Sequence, residues 1–73
     1  MENQITYIHQ IIGENVRFHR NSLGWSQVKL AKECGLNNDY IGRLEQGLEN
    51  IGIDNLAKIA LLFSIEPYSL LSR

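Results

Sequence analysis

One stretch of the chain, residues 26–46 (SQVKLAKECGLNNDYIGRLEQ), restricts the possible folds more than any other. Its apolar residues recur at the spacing of two successive helix faces: Leu30, Ala31 and Cys34, then Ile41 and Leu44. Gly35 stands between the two faces and can adopt the left-handed conformation that ends a helix without a steric penalty. Ser26 and Asn37 are residue types that cap the start of a helix well. The stretch therefore predicts two short helices that meet at a tight turn.

The second predicted helix turns a row of polar residues outward when its apolar residues face the core: Asn38, Asp39, Gly42, Arg43 and Gln46. Such a pair of helices is a helix-turn-helix, whose second helix can lie in the major groove of DNA. In that groove Asn can pair with adenine, Asp with cytosine and Arg with guanine, and Gly42 lets the backbone approach a base. Two other interpretations remain open. The row can be an ordinary solvated helix face, and Asp39 can serve to stabilise the helix start. Asp39 can also pair with Arg43 four residues later and set its rotamer, a role that is compatible with base reading.

A further helix is predicted before this stretch, over residues 8–23, because apolar residues recur there at four-residue intervals: Ile8, Ile12 and Val16. His19 continues the row, so we expect its ring to be partly buried rather than to bind a metal. Residues 1–7 have little pattern and are predicted to be an irregular lead-in.

The C-terminal third is strongly apolar. It predicts a helix over residues 53–63 and a last short helix over residues 67–71, which Pro67 begins. These residues carry more apolar surface than a small core needs, and such a surface usually marks an interface. We therefore predict a symmetric homodimer, with a dimerisation surface within residues 53–71 that includes Leu61, Leu62, Ile65, Tyr68 and Leu71. The alternative is that the excess closes the core of a single chain.

The composition is that of one small globular domain, residues 1–73. The net charge of −1 opposes a nucleic-acid partner, because such domains are usually basic. However, residues 16–44 hold five basic and two acidic residues, and the negative charge lies on either side of them. No apolar run is long enough for a membrane and residues 1–10 lack a signal-peptide pattern, so we expect a cytoplasmic protein without a membrane partner.

Catalytic patterns are missing from the sequence. It contains no paired acids, Ser/His or Cys/His set, glycine-rich phosphate loop or metal-ligand spacing. We therefore predict that the protein is not an enzyme and that it uses no cofactor or metal. The sequence gives no evidence of a small-molecule ligand.

Residues 12–71 resemble the Cro/C1-type (XRE) helix-turn-helix family of phage repressors and small bacterial regulators. The residues that carry this resemblance are Ser26-Gln27, Leu30-Ala31, Gly35, Tyr40-Ile41, Leu44-Glu45 and Gly47. The resemblance implies an all-α, lambda-repressor-like domain of five helices, in which the second and third form the DNA-binding unit, residues 26–46. Within the family, the segment YIGRLEQGLENIGIDNLAKIA is most similar to the small dimeric controllers of restriction-modification systems.

The resemblance also implies roles for individual residues. Gln27 matches the family's phosphate-binding glutamine, and we predict that Arg17, Lys29 and Gln46 contact phosphates as well. The residues at base-reading positions are Asn38, Asp39 and Arg43, with Gly42 beside them. Arg20 and Glu45 match a pair that ties the first helix to the third.

The sequence supports two functional hypotheses. In one the partner is double-stranded DNA, and in the other it is another protein. The first is a sequence-specific transcriptional regulator that binds a pseudo-palindromic operator as a homodimer, such as the controller of a restriction-modification system. The second is a protein-interaction module, antitoxin-like or antirepressor-like, that keeps the fold but binds another protein. Acidic Asp39 and Glu49 and the near-neutral total charge favour the second.

Overall fold

The computed structural model describes residues 2–73 of the chain, with side chains from Thr6 onward. These residues form four α-helices, which are α1 (Glu2–Ser22), α2 (Gln27–Cys34), α3 (Asn38–Glu45) and α4 (Ile53–Phe63). A 3₁₀ helix, Pro67–Leu70, follows α4. Residues 2–73 contain no β-strand, which confirms the prediction of an all-α fold.

The prediction of five α-helices was wrong at the last element. Pro67–Leu70 has the tighter 3₁₀ hydrogen bonding, with the Ser69 amide donating to the Glu66 carbonyl at 2.9 Å and the Leu71 amide to the Tyr68 carbonyl at 3.0 Å. The 3₁₀ form is common in helical segments of only three or four residues.

The first helix is longer than predicted. It begins at Glu2, so the expectation of an irregular segment over residues 1–7 was wrong from residue 2 onward, and Met1 lies outside the described residues. A helix that has formed adds one backbone bond for each residue it gains, so it can extend through a segment with no apolar row. The predicted row was also displaced, because Ile8 is 41% exposed whereas Ile11 and Ile12 are 5% and 3% exposed.

The core lies where the helices meet, and each element contributes to it. The largest fully buried side chains come from α1, α2, α3, α4 and the 3₁₀ helix: Val16, Leu30, Ile41, Leu44, Ile59 and Leu70. His19 is half-buried at the edge of this core and stacks on Phe63 with a ring-centroid distance of 5.4 Å, as predicted for a structural histidine.

The backbones of α1 and α3 approach each other closely, and this contact holds α3 against α1. A Cβ atom at Gly13 of α1 would lie 2.5 Å from the Leu44 carbonyl oxygen and 2.8 Å from that of Glu45. Real Cβ atoms do not come this close to backbone, so only glycine fits at this crossing. The two helices therefore pack closely at the end of α3, which sets the position of the second helix of the helix-turn-helix.

The apolar end of the molecule is only partly covered. Leu61 is 79% exposed, and Tyr68 and Leu71 are exposed as well, whereas Leu62 and Ile65 are half-buried against the core. None of the helices in residues 2–73 combines the length and the apolar character needed to cross a membrane.

Candidate nucleic-acid interface

The starts of α2 and α3 and the turn between them depend on local features that the sequence predicted. The Ser26 hydroxyl accepts from the Lys29 amide at 3.0 Å and caps α2, and the Asn37 carboxamide accepts from the Asp39 amide at 2.7 Å and caps α3. Gly35 is left-handed, with φ of 70°, and ends α2. Leu36 then packs against the core. The two helices thus meet as the helix-turn-helix pattern requires.

The predicted outward row does lie on the outside of α3. Four of its members are exposed and Gly42 is half-buried, while Ile41 and Leu44 on the opposite face are buried. The exposed members are Asn38, Asp39, Arg43 and Gln46. The core does not use these polar side chains, so they are available to an external partner.

Nothing in the fold requires a glycine at position 42. The residue lies within α3, and a Cβ atom there would meet only the Gln27 side-chain oxygen, at the ordinary contact distance of 3.6 Å. A glycine inside a helix costs about 0.5–1 kcal/mol relative to alanine. Gly42 therefore lowers stability without a packing reason, unlike Gly13.

The interpretation that Asp39 pairs with Arg43 was wrong. Instead, Arg43 Nε donates to Glu49 Oε2 at 2.7 Å, across the turn that follows α3. Asp39 lies in the first turn of α3, where its negative charge interacts favourably with the helix dipole.

A buried carboxylate joins the three helices behind this face. The Glu45 side chain is fully buried and accepts from Arg20 Nε at 2.6 Å and from Arg20 Nη2 at 2.9 Å. Gln27 Nε2 donates to it at 3.1 Å, and Arg17 Nε lies 3.4 Å away. Arg20 Nη1 also donates to the Trp25 carbonyl at 2.7 Å. The two residues that the resemblance paired are therefore in direct contact, and they link α1, α3 and the entry to α2.

The charge state of this cluster follows from its contacts. Burial opposes ionisation of Glu45, but hydrogen bonds from Arg20, Gln27 and Arg17, with the charge of Arg20, outweigh it and hold the pKa of that carboxyl below its usual value. The hydrogen bond to Glu45 raises the pKa of Arg20 despite burial. Both groups are therefore charged at neutral pH.

The predicted phosphate contacts fall into two groups around α2 and α3. Gln27 and Lys29 lie in the first turn of α2, where Lys29 Nζ is 2.9 Å from Glu33 and 5.6 Å from the centre of the Trp25 ring. Arg17 and Gln46 line one open cleft with Gln10, Glu14 and Glu45. The structure thus places all four near α2 or the end of α3, although Gln27 and Arg17 also contact the buried carboxylate.

Sequence reasoning missed three features of this region. Gly13 had a signal, because an isolated glycine inside a helical pattern often marks a close approach. The bond from Arg43 to Glu49 had none, since a six-residue separation outside a helix corresponds to no regular spacing. The Asn15 amide donates to the carbonyls of Leu70 and Ser72 at 3.0 and 2.9 Å, and no local pattern predicts a contact across more than fifty residues.

Comparison with known proteins agrees with this geometry. A helix-turn-helix family model (HTH_3) matches residues 16–70. The chain is 40% identical over 65 residues to the control protein C.BamHI of Bacillus amyloliquefaciens. This match covers 88% of this chain and 80% of that protein. It is 34% identical over 64 residues to a hypothetical transcription factor of Neisseria meningitidis serogroup B, a match that covers 88% of this chain but 60% of the relative's length.

Solved structures extend the likeness to three dimensions. The crystal structure of the Neisseria factor superposes with a TM-score of 0.85 at 34% identity and covers 89% of this chain and 75% of that one. The restriction-modification controller protein C.AhdI of Aeromonas hydrophila superposes with a TM-score of 0.80 at 35% identity, covering 85% of this chain and 94% of that one.

Proposed function

This chain belongs to the XRE-type helix-turn-helix family of DNA-binding transcription regulators, and we propose that it acts as a homodimer on a pseudo-palindromic operator. The observation that carries the proposal is the outer face of α3, where exposed amide, acid and guanidinium groups surround a glycine that packing does not need. The family consists of regulators and not of enzymes, which agrees with the prediction that the protein lacks a catalytic activity.

The base-reading role belongs to Asn38, Asp39 and Arg43 in this proposal. They stand on the exposed side of a helix whose other side is buried in the core. Asn and Arg can form bidentate contacts to adenine and guanine, and Asp can accept from the amino group of cytosine. The glycine among them allows the α3 backbone to approach the groove closely.

Gln27, Lys29, Arg17 and Gln46 contact the phosphates on either side of the groove. Gln27 and Arg17 are the better oriented, because the buried Glu45 carboxylate holds one nitrogen of each. The remaining N–H groups of both side chains can donate to phosphate oxygens, and phosphate contacts of this kind fix the register of a protein on the duplex.

The dimer forms through the apolar end of the molecule. Leu61, Tyr68 and Leu71 are exposed there, and Leu62 and Ile65 support them from the core. An apolar hollow of about 370 Å³ between α4 and the 3₁₀ helix, lined in part by Ala57, Leu61 and Pro67, can receive a side chain of the second copy. To read two half-sites one turn of duplex DNA apart, the two α3 helices of this dimer would have to lie about 34 Å apart.

The likeness to C.BamHI and C.AhdI favours one biological setting. C.AhdI is a restriction-modification controller protein, so we propose that this chain also regulates the genes of a restriction-modification system.

One observation favours the second candidate function, a protein-interaction module. The basic group on the α3 face, Arg43, is already paired with Glu49, which reduces the attraction of that face for a polyanion. An uncharged, amide-rich protein surface would then be the partner.

Selection of bound duplexes from a random pool tests the proposal in one experiment. We expect the purified chain to enrich a sequence with two inverted half-sites whose centres are one helical turn apart. Sedimentation of the complex should show two chains for each duplex. A chain that binds no duplex even at low salt, where non-specific binding is strongest, would instead support the protein-interaction module.

A further inference from the structure

Arg43 is held by a residue outside the helix that carries it. Its Nε donates to Glu49 Oε2 at 2.7 Å, and the Arg43 side chain remains 51% exposed while that of Glu49 is 24% exposed. Glu49 lies four residues after the end of α3, so the contact joins the proposed reading helix to the loop before α4.

The loop carries Glu49 in a defined position. The Gly47 amide donates to the Leu44 carbonyl at 3.1 Å, and the Leu48 amide donates to the Arg43 carbonyl at 2.9 Å. Gly47 is left-handed, with φ of 78°, and packs against α1, since a Cβ atom there would lie 3.1 Å from Gln10 Cγ. On the other side of Glu49, Ile51 packs against the core. Both flanks of the acid are therefore tied to the body of the protein.

The hydrogen bond leaves the part of Arg43 that reads guanine unused. A guanidinium has five N–H donors, and this bond takes the one on Nε. The two terminal nitrogens keep four, and a bidentate contact can use them on O6 and N7 of guanine. Arg20 shows the opposite arrangement, because its Nε and both terminal nitrogens all donate to protein oxygens.

We propose that Glu49 is a positioning residue for Arg43 that determines specificity, an inference that rests on the proposed base-reading role of Arg43. The carboxylate orders the arginine before DNA binds, so less side-chain entropy is lost when the guanine contact forms. Its negative charge also repels a phosphate that approaches the same guanidinium. Glu49 thereby strengthens the guanine contact and weakens the attraction of Arg43 for random sequence.

The test is the ratio of two affinities for Glu49→Gln and for a matched control. One duplex is the sequence enriched from the random pool by the wild-type chain, and the other is a random-sequence duplex of equal length. Glu33→Gln is the control, because it removes the same charge from another exposed ion pair. In that pair Glu33 Oε2 lies 2.9 Å from Lys29 Nζ, and we assign Lys29 to a phosphate contact and not to a base contact.

We expect Glu49→Gln to lower the ratio of enriched-site to random affinity on the order of 5- to 10-fold, the lower part of the range for one arginine–guanine contact. Glu33→Gln should strengthen both affinities by a similar factor and leave the ratio unchanged. An equal change of ratio in both variants, or no change in either, overturns the role of Glu49. A rise in the ratio for Glu49→Gln also overturns it, since Glu49 would then compete with DNA for Arg43.

A second measurement does not depend on DNA. In ¹H–¹⁵N spectra of the arginine side chains, wild-type Arg43 should show an Nε–H signal that is shifted and protected from exchange with water. Glu49→Gln should weaken both properties, because an amide oxygen is a weaker acceptor than a carboxylate. An exposed, rapidly exchanging signal in the wild-type chain overturns the positioning role even if the protein binds its operator. If the signal is protected but the wild-type chain prefers no sequence, the proposed function fails and the role of Glu49 in specificity fails with it.

Discussion

Gly13 and Gly42 differ in whether the fold requires a glycine. Gly13 has backbone oxygens within 3 Å of the place where a Cβ atom would stand. Gly42 lies on the outer side of α3, where a Cβ atom would meet only the Gln27 side-chain oxygen, at the ordinary contact distance of 3.6 Å. At position 13 the residue serves packing, whereas at position 42 its cost to the helix points to a partner outside the chain.

The substitution Gly42→Ala should therefore separate stability from function. We expect the free energy of unfolding to rise by about 0.5–1 kcal/mol, because alanine favours the helix. Affinity for the selected operator should fall several-fold, since the methyl group would stand between α3 and the bases. Urea unfolding and fluorescence anisotropy measure the two effects.

Gly13→Ala is the matched comparison for that experiment. Its methyl group would meet the Leu44 and Glu45 carbonyls, so unfolding free energy should fall by about 1–3 kcal/mol, the usual cost of overpacking. If Gly42→Ala binds the operator as tightly as the wild-type chain, the α3 backbone does not approach the DNA.

At the scale of the helices, one buried carboxylate helps to fix their relative positions. Glu45 at the end of α3 accepts from Arg20 and Arg17 of α1 and from Gln27 of α2. Removal of one partner of a buried ion pair costs about 3–5 kcal/mol, because the other charge remains buried. The helix-turn-helix is thus tied to α1 by a polar contact as well as by the close approach at Gly13.

This contact gives the fold a defined pH dependence. The pKa of Glu45 is lower in the folded chain than in the unfolded one, so its stabilising effect is present in full above the unfolded value of about 4.3 and is lost as the pH falls through the folded value. As the pH falls below about 4.3, the wild-type chain should lose stability that Glu45→Gln, already weakened at neutral pH, does not lose. Urea unfolding at a series of pH values measures the difference.

Glu33→Gln serves as the reference for the pH experiment. Glu33 forms an exposed pair with Lys29, and such pairs contribute little to stability. This variant should keep the pH dependence of the wild-type chain. A wild-type curve that is flat in acid would contradict the role assigned to Glu45.

At the scale of the whole molecule, the basic segment and the apolar end formed by α4 and the 3₁₀ helix lie in different parts of the chain. Residues 16–44 carry a net charge of +3 although the total is −1, and the exposed apolar side chains of α4 and the 3₁₀ helix lie outside that segment. An uneven charge distribution steers a protein toward DNA more than the total does. The apolar end is then free for a second copy of the chain.

Leu61→Glu tests the proposed dimer at this end. Leu61 is 79% exposed, so the charge should leave the fold intact while it opposes the burial of this surface between two copies. We expect sedimentation equilibrium to give the mass of a monomer. Ile53→Glu is the control, because Ile53 is equally exposed at the other end of α4 and is not among the proposed interface residues. A dimeric Leu61→Glu variant would show that the interface lies elsewhere.

Local sequence was sufficient for the helix-turn-helix itself. The caps Ser26 and Asn37, the left-handed Gly35 and the apolar spacing of α2 and α3 act within a few residues of one another, and each appears in the structure as predicted. The exposed side of α3 followed from the same periodicity. The contact of Arg20 with Glu45 came from family resemblance, because no local pattern relates residues twenty-five positions apart.

The tertiary structure decided what depends on distant neighbours. It made Gly13 irreplaceable, paired Arg43 with Glu49 instead of Asp39, and left Leu61 exposed while it buried Ile59. It also converted the last predicted helix into a 3₁₀ turn whose carbonyls the Asn15 amide of α1 binds. Helix propensity and capping act along the chain, so sequence alone reveals them. Which surfaces meet in the folded molecule decides how α1 packs against α3 and where the loop after α3 lies.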